Sequence, residues 1–270
     1  MKFIEQLKER AKQNKKTIVL PETSDMRTIE AAGKVLAEGI ANVILIGDKE
    51  DIISRAGDID LSGASFVNPE KYEKFDEYVN VFVEMRRKKG MTEARARELL
   101  LTNPLYFGCM MVKQDDADGM VAGAINASAD VLRAALQTLK TAPGTRIVSA
   151  FFLVIVPDCE YGSNGAFVFS DAGLNQSPSA SELADIAEQS AKSFQLLVQD
   201  EPVVAMLSHS TKGSAKHPDV DKVIEATEIV NAEFPDLRCD GELQSDAALV
   251  PDVAASKAPG SNVALPGAFE

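Results

Sequence analysis

Two stretches combine residue types that bind anions with the punctuation that presents them. In residues 118–133, an apolar run passes through Gly119 and Gly123 into a small-residue turn. A helical period then begins near Ser128 and carries Arg133. A helix start offers backbone N–H groups that the helix itself leaves unused, and a glycine lets an anion approach them closely. Ser128 can donate from its hydroxyl, and Arg133 presents a planar fork that matches phosphate. The same spacing also fits a plain helix cap at Ser128 and a solvated Arg133. In residues 203–215, an apolar strand breaks into Ser208, His209, Ser210, Thr211, Lys212 and Gly213. The carboxyl end of a parallel strand is where α/β proteins place ligands. An ordinary polar turn is the other reading, and the GxxxxGK[ST] pattern of a Walker loop is absent.

The remaining candidates are weaker. Residues 84–89 form a basic patch with Arg86 and Arg87, suited to a phosphate contact or to a solvated helix end helped by the dipole. His209 has no visible partner that would make it a base, and His217 precedes Pro218 at a helix start. Asp115, Asp116 and Asp118 read as solvated residues at a helix exit, so no metal site is expected. Cys159 has no adjacent base and reads as a buried structural thiol. Three widely spaced cysteines without a CxxC pattern point to reduced thiols in the cytoplasm.

Alternating β-branched runs and helical periods position these residues, which is the signature of an α/β fold with a largely parallel sheet. Strands are expected at 17–20, 42–46, 119–124 and 202–207, with apolar runs at 147–156 and 165–169. Helices are expected near the N-terminus, then from a cap at Ser24 or Asp25 to Glu38, at 75–89, from Thr92, and at 103–114. Further helices are expected at 129–140, from Ser179 to Leu197, and at 218–234. The Pro/Gly break at 141–145 divides the chain into domains 1–143 and 144–270. From 249 onward the sequence is small and polar, and 262–270 shows no closing element. The 270 residues are 45% hydrophobic, enough for a substantial core, and no apolar stretch is long enough to span a bilayer. A net charge of −13 disfavours general affinity for nucleic acid or an anionic membrane. Any bound anion therefore depends on local cations and N–H groups. Spacing alone leads to a phosphate-binding enzyme with two α/β domains, and leaves acyl transfer and dehydrogenation both open.

At these same positions the chain resembles the phosphate acetyl/butyryl transferases over almost its whole length. The resemblance rests on Leu20-Pro-Glu22, on residues 84–92, on Asp118 through Arg133, and on 156–162. It continues through 197–200, Ser208 through Ala215, 240–248 and 255–260. It implies a fold like that of the isocitrate and isopropylmalate dehydrogenases, with two α/β domains and a cleft between them, in a homodimer. The implied reaction exchanges acetyl between acetyl phosphate and coenzyme A through a ternary complex. Coenzyme A enters as substrate, and no cofactor is needed. In that reaction a carboxylate removes the thiol proton, the thiolate attacks the acetyl carbonyl, and Arg and Ser groups hold the phosphate and the oxyanion. By motif, Arg133 and Arg86 match the family's phosphate-holding arginines, with Arg87 the alternative if the register differs by one. Ser128 and the Ser210, Thr211, Lys212 loop match residues lining the cleft. Ala129 and His209 depart from the pattern.

The resemblance also implies a further C-terminal stretch with an Asn-Asp-Leu-Ser-Arg-Gly-like motif that supplies the catalytic base, and no counterpart occurs in these 270 residues. A missing general base costs roughly 10²–10⁴-fold in rate. The expectation is a phosphate acetyltransferase by descent whose turnover is weak or absent in this chain alone. The rivals are a coenzyme A-binding scaffold without chemistry and a phosphate butyryltransferase. A metal- and NAD-dependent decarboxylating dehydrogenase ranks last, because it would need acidic metal ligands and a nucleotide loop.

Overall fold

A computed structural model describes residues 3–264, which divide into two compact units at 140/141. The first unit runs α1 (Phe3–Gln13), β1 (Lys16–Leu20), α2 (Met26–Glu38), β2 (Ala41–Ile46), α3 (Lys49–Ala56) and β3 (Ser65–Val67). It continues through α4 (Phe75–Arg86), α5 (Glu93–Thr102), α6 (Pro104–Lys113), β4 (Gly119–Met120) and α7 (Ser128–Thr138). All four strands are parallel, in the order β3-β2-β1-β4.

Side chains alternate across this sheet as the pleat requires. Val19, Ile44 and Ile46 face a cluster with Phe82, Leu105, Phe107 and Met110 from α4 and α6. Leu20, Val43 and Leu45 face the opposite cluster, with Ile29 of α2 and Ile52 of α3. Helices therefore cover both faces, which is why these strands are almost wholly apolar. Tyr78, Phe82 and Phe107 are fully buried, and burying each such ring contributes about 1.5–3 kcal/mol.

Local chemistry sets most helix ends. Asp25 caps α2 by accepting from the N–H of Arg27, Thr92 caps α5, and Asn103 caps α6 ahead of Pro104. The 75–89 helix is shorter than expected: α4 stops at Arg86, and a 3₁₀ turn of three basic residues follows. β4 also stops early, at Met120 rather than at residue 124. Val121 still donates to the Val19 carbonyl of β1, and from Gly123 onward the backbone turns away to bond a buried carboxylate instead.

In the second unit, β5 (Phe152–Ile155) and β6 (Ala166–Phe169) form an antiparallel ribbon, a departure from the parallel pairing that the alternation suggested. Then come α8 (Ala180–Val198), β7 (Val203–Leu207), α9 (Pro218–Glu233), β8 (Arg238–Leu243), α10 (Ser245–Leu249) and α11 (Pro251–Lys257). β7 and β8 are parallel. α8 opens with a reciprocal capping box between Ser179 and Glu182 and packs Ala184 and Ala187 toward β7 and α9. The small, polar stretch from 249, for which no element is assigned from sequence, forms α11, and Pro251 at its first turn is the local signal for it. The reading of 262–270 as lacking a closing element falls, from residue 265, outside the described residues. Among the described residues no helix is long and apolar enough to cross a membrane.

Candidate active site

In the first unit the connection from β1 to β2 leaves one side of β1, while β4 lies on the other. The carboxyl ends of β1 and β4 thus flank a topological switch point, the usual ligand position in an open parallel sheet. The loops after these two strands meet there. Glu22, two residues past β1 and 2% exposed, accepts from the N–H groups of Gly123 (2.6 Å), Ala124 (2.7 Å), Ile125 (3.1 Å) and Asn126 (2.9 Å). It also accepts from Asn126 Nδ2 at 2.7 Å. Burial alone would push this carboxyl up. The bonds from Asn126, Ala124 and Ile125 outweigh it and hold the carboxyl at about 2. Gly123 adopts φ +111°, a conformation that only glycine takes without strain.

This geometry corrects the expectation that the glycine turn holds a ligand anion. The turn does gather N–H groups around a negative charge, but the charge is the protein's own. The groups left facing outward belong to α7. Its N-cap, Ala127, makes no side-chain cap, and Ser128 is the exposed first helical residue rather than a cap. Arg133 is also exposed and donates to Asp130 at 2.6 Å.

The basic patch resolves into two unlike arginines. Arg87 is exposed and pairs with Glu84. Arg86 is partly buried, and its Nε is buried without a hydrogen-bond partner among the described residues. Burial pushes the Tyr106 phenol up, while the charges of Arg133 and Arg86 both pull it the other way. The charges of residues 86 and 133, distant in sequence, thus both act on the same hydroxyl, which donates to Gln137 Oε1 at 3.2 Å. Guanidinium groups beside an exposed helix start suit the binding of a phosphate dianion.

Ser210, Thr211 and Lys212 lie in the second unit, between β7 and α9, and are bonded mainly to the end of β8. Ser210 is fully buried, donates to Glu242 Oε1 at 2.9 Å, and accepts from the N–H of Ala215 at 3.0 Å. Glu242 also accepts from the N–H of Gly213 at 2.7 Å. Thr211 Oγ1 accepts from the N–H of Gln244 at 2.9 Å, and Lys212 Nζ donates to Asp240 Oδ1 at 2.5 Å. All three side chains thus serve the loop's own structure. Gly241 is required beside it, because a Cβ there would lie 2.6 Å from Met206 Cβ and 2.9 Å from its carbonyl oxygen.

Among the weaker candidates, His217 caps α9 by accepting at Nδ1 from the N–H of Asp219, and exposed His209 lies edge-on to it at 6.0 Å. Cys159 is partly exposed rather than buried, with its Sγ 3.8 Å from the Tyr161 carbonyl oxygen. Asp116 is not the solvated residue expected: Tyr72, Tyr78 and Lys74 all donate to it. Among the described residues no group of three or more His, Cys, Asp or Glu could hold a metal. A cavity of about 520 Å³ in the second unit, lined by Phe167, Phe169, Leu183, Ile186 and Phe194, contains none of the candidate residues.

Comparison with known proteins places these residues in context. The family model described as phosphate acetyl/butaryl transferase matches residues 2–266. The phosphate acetyltransferase of Acetivibrio thermocellus is 54% identical over 264 residues, covering 98% of this chain and 79% of that protein. That of Thermoanaerobacterium thermosaccharolyticum is likewise 54% identical over 264 residues, covering 98% of this chain and 80% of its own length. The crystal structure of a phosphotransacetylase from Streptococcus pyogenes superposes with a TM-score of 0.88 at 42% identity, covering 97% of this chain and 78% of that one.

Proposed function

The chain belongs to the phosphate acetyl/butaryl transferase family, and on that premise we propose that it exchanges an acetyl group between phosphate and coenzyme A. The observation that carries this reading is identity with phosphate acetyltransferases along nearly the whole chain. The reaction is reversible and passes through a ternary complex. The coenzyme A sulfur forms a bond to the acetyl carbon, and the C–O bond to phosphate breaks. The phosphate leaves with the electron pair, and the thiol proton passes to a base.

The geometry supports a division of labour in that reaction. Arg86 and Arg133 hold the phosphate groups of the substrates, where the charge of the leaving phosphate grows. The Ser128 hydroxyl, exposed at the start of α7, donates to the same ligand. Ser210, Thr211 and Lys212 act by shaping the loop after β7, since their side chains bond Glu242, Gln244 and Asp240. The thiol needs a base because a free thiol is mostly protonated at neutral pH. None of the residues placed above is assigned that part. Transfer is direct, with coenzyme A as substrate rather than cofactor and no metal.

The same reading includes an isocitrate/isopropylmalate dehydrogenase-like fold, with domains 1–143 and 144–270 around a cleft, and it rests there on the family resemblance. It includes a homodimer, in keeping with Phe152 and Phe169, which pair across the β5–β6 ribbon yet are 65% and 53% exposed. It includes a cytoplasmic location, in keeping with three free cysteines.

The test offers acetyl phosphate and butyryl phosphate as rival donors to coenzyme A. Acetyl-CoA is expected to form faster. Preference for butyryl phosphate would move the chain to the butyryltransferases, and thioester from neither donor, even at high protein concentration, would reject the reading in favour of a coenzyme A-binding scaffold without chemistry.

A further inference from the structure

We propose that Glu22 is a positioning residue for coenzyme A binding: by gripping residues 123–126 it sets the start of α7 and hence the place of Ser128 and Arg133. This role rests on the proposed acetyltransferase reading.

α7 lacks a side-chain cap of its own, so nothing at Ala127 fixes where the helix begins. The chain entering it is held from outside. Glu22 satisfies four consecutive N–H groups and the Asn126 side chain, the last of them one residue before the N-cap. Arg27 holds the same loop by its opposite polarity, donating from Nη2 to the Ala124 carbonyl at 2.5 Å. Glu22 is itself anchored. Its neighbour Thr23 donates from Oγ1 to the Ile46 carbonyl at 2.5 Å, at the end of β2, and Arg55 donates to the Thr23 carbonyl at 2.7 Å. A continuous set of bonds thus runs from β2 through Thr23 and Glu22 to residues 123–126 and on to the first turn of α7.

The carboxylate has a second consequence. It fills a turn that would otherwise attract a ligand phosphate, so the phosphate meets Ser128 and Arg133, one turn further on, rather than the glycine loop. Misplacement of a binding group weakens its hydrogen bonds as distance and angle depart from the optimum, so a residue that never touches the ligand can govern its affinity.

The experiment measures coenzyme A affinity by calorimetry for the full chain, Glu22→Gln, Arg133→Ala and the double variant, with hydrogen exchange followed by mass spectrometry. Glu22→Gln keeps the side-chain shape but removes acceptor capacity. It is expected to weaken coenzyme A binding by about tenfold and to speed exchange in peptides covering 121–130, leaving peptides of β7 and β8 unchanged. Because Glu22 acts through α7, the double variant should bind no more than about threefold more weakly than Arg133→Ala alone. Asn126→Ala, which removes one bond of the five, should move both readouts in the same direction by less, and it serves if Glu22→Gln folds poorly. Wild-type affinity in Glu22→Gln, unchanged exchange at 121–130, or effects that multiply in the double variant would each overturn the proposal. Failure of the unmodified chain to bind coenzyme A would defeat the acetyltransferase reading and this role with it, while the exchange data would still report separately whether Glu22 orders the loop.

Discussion

Glu22 Oε1 accepts two hydrogen bonds from Asn126, one from its backbone N–H at 2.9 Å and one from its side-chain Nδ2 at 2.7 Å. Together with three further N–H donors they hold the carboxyl at about 2, below the ordinary glutamate value of 4.5. A carboxyl depressed in the folded state contributes stability that is complete above the unfolded value and lost as the pH falls toward the folded one. The contribution at neutral pH is on the order of 3 kcal/mol. Urea unfolding of the chain and of Glu22→Gln should therefore show a gap at pH 7 that persists down to about pH 5 and closes toward pH 2. A gap independent of pH would contradict the account.

The two arginines of the basic patch should separate on mutation. Arg86→Ala and Arg133→Ala are each expected to weaken coenzyme A binding by about 10–100-fold, the equivalent of losing a hydrogen bond to a charged group. Arg87→Ala, which removes an exposed pair with Glu84, should leave affinity within about threefold. Calorimetry with coenzyme A reads all three. A large effect at Arg87 and none at Arg86 would reverse the assignment.

Asp116 ties three distant residues together beneath α4, and Tyr78, one of them, is fully buried. Asp116→Ala leaves that phenol with only the longer contact to the Tyr72 hydroxyl at 3.4 Å and is expected to cost about 2–4 kcal/mol. Tyr78→Phe, which removes the donor as well as the need for it, should cost only about 1 kcal/mol. Equal costs in denaturant titrations would argue against the buried bond.

The cysteines should react in sequence. Burial raises the Cys109 thiol above its usual range, and burial with the neighbouring Asp240 raises Cys239 to about 12. Cys159 alone of the three is partly exposed. Iodoacetamide followed by peptide mapping should modify Cys159 in the native protein and the other two only on unfolding. Early labelling of Cys239 would count against the packing of β8.

Where the controlling chemistry is local, the sequence was a sound guide. Asp25, Thr92, Asn103 and the Ser179/Glu182 box sit beside the helices they begin, and Pro218 starts α9 from its own ring. Where the partner is remote, it was not. β4 falls short of residue 124 because a carboxylate about a hundred residues earlier claims the N–H groups from Gly123 onward, and no local pattern carries that information. The glycine turn looked like a ligand site for the right reason, its clustered donors, yet the anion it holds belongs to Leu20-Pro-Glu22. Asp116 looked solvated because Tyr72, Lys74 and Tyr78 reach it from about forty residues away. Arg133 and the basic patch at 84–89 are nameable from residue type, but the choice of Arg86 over Arg87 rests on the family resemblance, since Tyr106, on which the charges of Arg86 and Arg133 both act, lies on a third helix. Glu22 and Glu242, buried carboxylates that pin the loops after β4 and β7, carry no assignment from sequence, although each stands within two residues of a strand's carboxyl end.

The most direct measurement is the initial rate of acetyl-CoA formation from acetyl phosphate and coenzyme A, using the whole chain at high concentration beside Arg133→Ala. The account predicts thioester formation above background that requires both substrates and falls by about 10-fold or more in the variant. Thioester formation that does not respond to Arg133, or loss of acetyl phosphate without thioester, would contradict it.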